Sequence, residues 1–349
     1  MRIVTSSRLS LVLPSLPDEN PEFLQYLQAC AEQASEPLNL FHKLLARADK
    51  MAMPVTDRHS LVFYLLSGEV QTSPPVAALR ALADGLQPAD EAYWLCADPV
   101  HLHPDLDHLL LFSGESFSPT PAQARQLVEE LNQLFREDAL EFIVGTHEHW
   151  YLRCRQAPDV SFTPLDKVLA RNILHFLPVG PEQATWRRYL NEMQMQMTAS
   201  EVNRQRAESA MAEVNSVWCW GGGKLPKWSP EYGSSAFSRV YTQQAFSRGL
   251  ARYMRVEVGD VPGSAGECVL DDTEQLLEFA ELAERDDPQA FMRFLSGFER
   301  DYLQVLCSDM KQGKLDELVI YFAGQRFCLN RKTMRRWWRR PRQLTELLA

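Results

Sequence analysis

The sequence predicts an α/β fold built on a mostly parallel central sheet flanked by helices. Three observations point there. Apolar runs of strand length alternate with segments of helical period along the 349 residues, which is the rhythm of a layered α/β protein. Hydrophobic residues make up 45% and charged residues 23% of the chain, a balance that builds a packed core rather than a disordered polymer. No internal repeat or low-complexity linker divides the chain, so the expected organisation is one domain over 1–349 with an inserted helical segment around 181–212.

The run at 3–13 reads as a first strand, and 22–32 as a helix with Phe23, Leu24 and Leu27 on one face. Segment 40–48 reads as a second helix. At 74–84, Val76, Leu79, Leu82 and Ala83 form an inward stripe, and Gly85 supplies the stop. Short strands are expected at 93–97 and 109–112, on either side of the polar turn DPVHLHPDLDH. Segment 120–135 has Pro121 in its first turn and Leu127, Leu131 and Leu134 at helical spacing. Strands at 142–144 and 150–153 suit a hairpin with His147 and His149 near its tip. After the helical stretch 181–212 comes a tryptophan strand, then a helix over 237–253, a strand at 254–258 and a helix over 272–284. A long amphipathic helix over 291–310 and strands at 315–322 and 325–329, joined around Gly324, complete the pattern.

The charge of 36 basic against 46 acidic residues, or −10, disfavours general attraction to nucleic acid or an anionic membrane. Seven cysteines, at 30, 96, 154, 219, 268, 307 and 328, form no CxxC pair. An odd, scattered set suggests reduced thiols in a cytoplasmic protein. The apolar run at 9–13 is too short and too rich in Ser and Pro nearby for a signal peptide or membrane span.

The most informative stretch is VNSVWCWGGGKLP at 214–226. Valine and tryptophan favour a buried strand, and side chains two apart share a face, so Trp218 and Trp220 are expected to point the same way. Gly221, Gly222 and Gly223 lack Cβ atoms and let a ligand approach their amides, with Lys224 adding positive charge. That reads as a phosphate or carboxylate cradle; a tight turn capped by core tryptophans explains the same residues. The pattern is neither the phosphate loop nor the dinucleotide GxGxxG. Two HxH pairs, His101/His103 and His147/His149, with Asp98, Asp105 and Asp107 near the first, invite a metal hypothesis. The aspartates sit among prolines, as in solvated turns, and every histidine lies at or before His175. Met193 and Met197 fall on one helical face and read as core packing. The run RKTMRRWWRRPR, from Arg331 through to Arg342, holds seven basic residues and two tryptophans. Such residues can neutralise phosphates and stack bases, or dock internally or on an acidic protein partner; the acidic remainder of the chain argues against nucleic acid.

LNEMQMQM at 190–197, VNRQR at 202–206 and VNSVWCWGGGKLP resemble a bacterial group related to archaeal-type cofactor-independent phosphoglycerate mutases, of the alkaline phosphatase superfamily. AFSRVYTQQAFSRGLARYMRVEV, VPGSAGE at 261–267, and Asp271, Asp272 and Thr273 follow in the family's order. WLCADPVHLHPDLDHLLL at 94–111 and WWRRP at 337–341 resemble the bacterial group specifically. The resemblance covers most of the chain and implies an alkaline-phosphatase-like fold. It carries over Asn215, Trp218, Trp220, Gly221 and Gly223 as pocket- or loop-shaping positions for a small phosphorylated or carboxylate ligand. Gly222 lies between them, and Lys224, Arg204 and Arg248 are candidate anion partners by charge, although Arg248 also suits an ordinary salt bridge.

The departures from that family carry equal weight. Its enzymes hold two divalent metals with aspartates and histidines from both ends of the chain and phosphorylate a serine. Their first metal aspartate follows the first strand, where this chain has Leu13, Pro14, Ser15 and Leu16, with no acid before Asp18. Their later histidine ligands fall in the final third, where this chain has none. The expected protein is therefore catalytically degenerate, with no catalytic residue, metal or cofactor and a binding or regulatory role. One alternative is an active mutase or phosphatase using manganese on rearranged ligands such as His101, His103, Asp105 or His147. The other is a partner-binding protein working through the basic C-terminal run.

Overall fold

The computed structural model describes residues 7–16, 23, 25–27, 29–30, 39–88, 91–106, 108–227, 235–271, 273–282 and 287–340. In chain order the first elements are β1 (Arg8–Val12), α1 (Asn39–Arg47), β2 (Asp49–Ala52), α2 (Arg58–Ser67) and α3 (Val76–Ala83). Then come β3 (Tyr93–Asp105), β4 (His108–Phe112), α4 (Pro121–Leu134), β5 (Leu140–Val144), β6 (Trp150–Cys154), α5 (Gln183–Thr198), α6 (Glu201–Glu208) and β7 (Ser216–Gly223). The remainder is β8 (Phe237–Tyr241), α7 (Ala245–Tyr253), β9 (Glu257–Gly259), β10 (Glu274–Glu278), α8 (Pro288–Phe298), α9 (Gln304–Gln312), β11 (Glu317–Phe322), β12 (Gln325–Asn330) and α10 (Arg331–Met334). The chain divides into two compact units, Met1–Thr72 with Pro230–Ala349, and Ser73–Ser229. The helical stretch anticipated at 181–212 lies in the second, as α5 and α6.

The first unit carries a seven-stranded sheet in the order β2-β12-β11-β1-β10-β8-β9. β1 runs parallel to both β10 and β11, and β8 parallel to β10 and β9. The antiparallel pairs of this sheet are β12 with β11 and β12 with the edge strand β2. Parallel strands covered on both faces need near-continuous apolar runs, and Leu9, Leu11, Leu276, Leu277, Leu318, Val319 and Ile320 are all fully buried. β11 turns into β12 through Ala323 and Gly324, both at positive φ (50° and 68°), the backbone that a two-residue hairpin requires. α2 starts on Asp57, whose carboxylate accepts the Ser60 amide at 2.8 Å, and stops at Gly68 in the left-handed conformation. Asp287 and Pro288 start α8 in the same manner, and the helix runs through a π turn at Glu299–Leu303 into α9. Phe41, Phe279, Phe291, Phe298 and Phe322 interlock within this unit's core.

The second unit is built on antiparallel pairs. β3 pairs with β4, β6 and β7, and β6 with β5. Thr120 and Gln123 form a capping box at the start of α4, whose Ala124, Leu127 and Leu131 are fully buried. α5 ends at Ala199, and Ser200 caps α6 through the Val202 amide. The central sheet expected from the sequence is thus the first unit's sheet, and this second, antiparallel sheet was not anticipated.

Four local expectations are corrected. The polar turn at 98–108 is mostly strand: β3 continues through Asp105, because Asp98 to Val100 pair with β7 and His101 to Asp105 with β4. The helix expected at 237–253 begins with β8, and only its second half is helical. The helix expected over 272–284 is β10 across Glu274–Glu278; its helix-forming Glu and Leu residues are overridden by insertion between β1 and β8. Residues 272 and 283–284 of that segment lie outside the described residues, as do 24, 28 and the ends of the helix expected at 22–32. The three glycines form the end of β7, with Gly223 opposite Trp94, so they are ladder residues and not a bare loop. Among the described residues, no helix is long and apolar enough to cross a membrane.

Candidate functional site

β7 sets out the sequence's own candidates. Asn215, just before it, is buried and spans the Leu102 peptide group: its Oδ1 accepts the Leu102 amide at 2.7 Å and its Nδ2 donates to the Leu102 carbonyl at 2.9 Å. That side chain extends the β3–β7 pairing. The buried Trp218 indole donates to the Thr163 carbonyl at 2.9 Å. The Trp220 indole donates to Asp98 Oδ2 at 2.7 Å. A Cβ at Gly223 would come within 2.5 Å of Pro75, one at Gly221 within 2.9 Å of Val76, and one at Gly222 within 2.7 Å of Leu95, besides colliding with the Tyr93 hydroxyl. The space left by the missing side chains holds the start of α3 at Gly221 and Gly223 and the Tyr93 and Leu95 side chains of β3 at Gly222, so close packing accounts for all three glycines.

Asp98 anchors a buried network around that strand. Arg80, from α3, forks onto it with Nη1–Oδ2 at 2.9 Å and Nη2–Oδ1 at 2.5 Å. The guanidinium also donates to Tyr151 Oη at 3.2 Å and lies over the Tyr151 and Trp220 rings. Burial opposes the Arg80 charge, but the surrounding groups, Asp98 foremost, together outweigh it and hold the guanidinium well above its ordinary value. Tyr151 in turn donates to Asp84, which also faces His149 Nδ1 at 3.1 Å. Burial would raise the Asp84 carboxyl, but hydrogen bonds from His149 and Tyr151 bring it below the usual carboxylate range. Burial pushes the neighbouring thiols of Cys96, Cys154 and Cys219 up, Cys154 to about 12, so none is a thiolate nucleophile near neutral pH. Every charge in this network has a partner, and its effect is to lock α3 onto three strands.

The predicted cations do not gather at β7. Lys224 is exposed just beyond its end. Arg204 is exposed on α6 and is taken up by Glu201 and Glu208 of its own helix. Arg248 bonds the Thr242 carbonyl at 3.1 Å and Asp260 at 2.8 Å, the ordinary salt bridge considered for it. His101 and His103 are neighbours on β3, but His101 stacks on Phe117 with ring centroids 5.4 Å apart and directs Nδ1 at the Glu213 carbonyl. Among the described residues, no three His, Cys, Asp or Glu side chains converge as a metal site.

The first unit offers a different constellation. β10 lies on one side of β1 and the next strand, β11, on the other, so their connection reverses direction across β1. Ligands in open α/β sheets bind at such points, beyond the carboxyl ends of the strands. There Arg58, the first residue of α2, places Nε 3.0 Å from Glu278 Oε1 and Nη1 2.7 Å from Glu281 Oε1. It also donates to the carbonyls of Leu13 and Phe279, just past β1 and β10. The Thr242 hydroxyl, just past β8, donates to Glu278 Oε2 at 2.7 Å. Ser15 donates its amide to Glu281 at 3.0 Å and its hydroxyl at 2.7 Å. Burial works against the Arg58 charge, but Glu278 and Glu281 hold the guanidinium above its ordinary value.

A metal pair does not fit this donor set. Each divalent cation needs several hard oxygen donors free to face it. Here the two carboxylates are engaged by Arg58, Thr242 and the Ser15 backbone and hydroxyl, and a guanidinium stands where their negative charge converges. None of Ser15, Arg58, Thr242, Glu278 or Glu281 was singled out as a site residue from the sequence. The usable signal was an acid, Glu278, set inside an apolar strand, since a buried carboxylate requires a partner.

No family model matches the chain. It is 24% identical over 153 residues to the 2,3-bisphosphoglycerate-independent phosphoglycerate mutase of Methanosarcina barkeri, covering 41% of this chain and 37% of that protein. It is 22% identical over 169 residues to a probable enzyme of the same name from Geobacter sulfurreducens, covering 48% and 42%. The chain thus spans less than half the length of these curated relatives. A solved protein structure from Pyrococcus horikoshii has a TM-score of 0.52 at 11% identity over 94% of this chain and 88% of that one, a likeness of fold. The chain is a low-identity relative of the cofactor-independent phosphoglycerate mutases.

Proposed function

We propose that this chain is a phosphoglycerate-mutase-like protein with a binding or regulatory role and without two-metal phosphotransfer. The observation that carries this reading is Arg58 seated between Glu278 and Glu281 at the carboxyl ends of β1, β8 and β10. A guanidinium there supplies positive charge but no open coordination position, so it cannot lower the pKa of a bound water as a metal does. The two carboxylates leave the cluster net negative, which also disfavours a phosphate. The test is a mutase and phosphatase assay of the purified full chain on 3-phosphoglycerate, with manganese and with chelator. This reading expects no turnover in either; manganese-dependent turnover overturns it.

One contact favours a second reading, an active phosphatase or mutase with rearranged groups. The Ser15 hydroxyl donates to Glu281 at 2.7 Å, the contact that a base-assisted nucleophile makes. Against it, the Glu281 oxygen that faces the hydroxyl, Oε1, is also held by Arg58 Nη1 at 2.7 Å. Loss of any measured turnover in Ser15→Ala, with metal having no effect, would favour this second reading.

A further inference from the structure

A cavity of about 350 Å³ opens among α1, α9 and α10 of the first unit. α1 contributes Leu40, Lys43, Leu44 and Arg47, whose spacing of i, i+3, i+4 and i+7 makes one stripe along that helix. α9 adds Cys307 and Lys311, one turn apart, and the basic C-terminal run adds Arg331, Met334 and Arg335. Five cations therefore surround the cavity, and among the described residues its walls carry no carboxylate. In a chain of net charge −10, five positive charges gathered at one opening repel one another until an anion or salt intervenes.

The cations are placed, and their charges remain available. Arg331 donates Nε to the Met310 carbonyl at 2.8 Å, in the last turn of α9, and a side chain at Gly313 would collide with its guanidinium. Arg47 donates Nη1 to the Met334 carbonyl at 3.1 Å. Each guanidinium has five N–H donors, so one carbonyl contact fixes its direction; the Arg47 Nε is buried, and the remaining Nη donors are left for a ligand. Lys43, Lys311, Arg331 and Arg335 are exposed. Glu299, the acid bonded to the start of α1, is taken up by the Leu40 and Phe41 amides at 3.2 and 2.9 Å. Between the cations the surface is apolar: Leu44 is buried, and Leu40, Met334 and Cys307 join it. Burial pushes the Cys307 thiol up to about 11 despite Lys311 and Arg47, so this floor is neutral near pH 7.

We propose that this cavity binds a small organic anion of mononucleotide size, with two or more phosphate or carboxylate charges joined to an apolar or aromatic body. The volume lies at the lower end of small-molecule pockets. The cations clasp the charged end, while Leu44 and Met334 receive the body, and the methionine sulfur and guanidinium planes suit an aromatic ring. This site shares no residue with the Arg58 cluster, so the assignment stands or falls independently of the reading above.

The test is calorimetric titration of the full chain at low salt with ADP, pyrophosphate and adenosine as probes. The expected result is one ADP per chain, weaker pyrophosphate binding and no detectable adenosine binding. In Lys311→Ala/Arg335→Ala, whose side chains are exposed and whose melting temperature is checked, ADP binding weakens by about tenfold or more. Lys43→Ala provides an independent variant with the same direction. Three results overturn the proposal: no heat from ADP or pyrophosphate up to about 1 mM, unchanged ADP affinity in the folded double variant, or tighter binding of a single-stranded oligonucleotide than of ADP, lost in the same variant. The last would identify an extended polyanion lying over the C-terminal run.

Discussion

Arg58 and Glu278 are joined Nε to Oε1 at 3.0 Å, and the Glu278 side chain is only 1% exposed. The acid lies at the end of a central parallel strand and the base at the start of a helix, so one ion pair closes the carboxyl end of the sheet. Thr242 takes the other Glu278 oxygen, so both oxygens of that carboxylate are engaged within the protein.

Removing the guanidinium should be costly. Arg58→Ala leaves Glu278 buried without a counter-charge and is expected to destabilise the protein by about 3–5 kcal/mol. The double variant Arg58→Met/Glu278→Leu should lose less than the two single substitutions together, since the buried carboxylate leaves with its counter-charge and only the partly exposed Glu281 is left without one. Urea denaturation of Arg58→Met, Glu278→Leu and the double variant measures the coupling.

Gly222→Ala should act on stability. Its methyl group would collide with the Tyr93 hydroxyl and come within 2.7 Å of Leu95, so a loss of about 1–3 kcal/mol is expected. Thermal melting should place the effect there, and a Tyr93→Phe background should relieve part of it.

Asn215→Ala removes both hydrogen bonds to the Leu102 peptide group. Leaving a buried amide and carbonyl unmet is expected to cost about 1–3 kcal/mol for each group. Hydrogen exchange at the Leu102 amide should accelerate in the variant, while exchange in the first unit's sheet stays unchanged.

Acid should weaken the first unit through His42. Burial pushes its imidazole below the ordinary value, against a smaller opposing pull from Glu299, and its Nε2 is buried without a hydrogen-bond partner. The unfolded chain then takes up a proton at higher pH than the folded one. The His42 contribution is complete above about pH 6.5 and is lost as pH falls from there through the depressed folded value. His42→Leu should flatten the stability profile in that interval, as read by denaturation at a series of pH values.

Much of the framework was legible where local pattern and tertiary role agree. β11 and β12 around Gly324, the capped α4 and the β5–β6 hairpin each carry their own signal in turn residues and apolar period. β10 was misread because QLLE is built from good helix formers, and only its neighbours β1 and β8 make it a strand. α2 was missed since RHSLVFYLLS is apolar on most of its circumference, with no clean stripe to announce it. The glycines of β7 looked like a ligand loop because nothing in the chain nearby reveals that Pro75, Val76 and Tyr93 fill their space. The basic run was visible, but its cavity depends on cations from α1 and α9 that are far away in sequence.

Anomalous diffraction from crystals of the full chain soaked in manganese tests most directly whether Arg58 stands in place of a catalytic cation. The account predicts the guanidinium still bound to Glu278 and Glu281, with no manganese peak beside them. Paired manganese peaks on Glu278, Glu281 and Ser15, with Arg58 displaced, would contradict it.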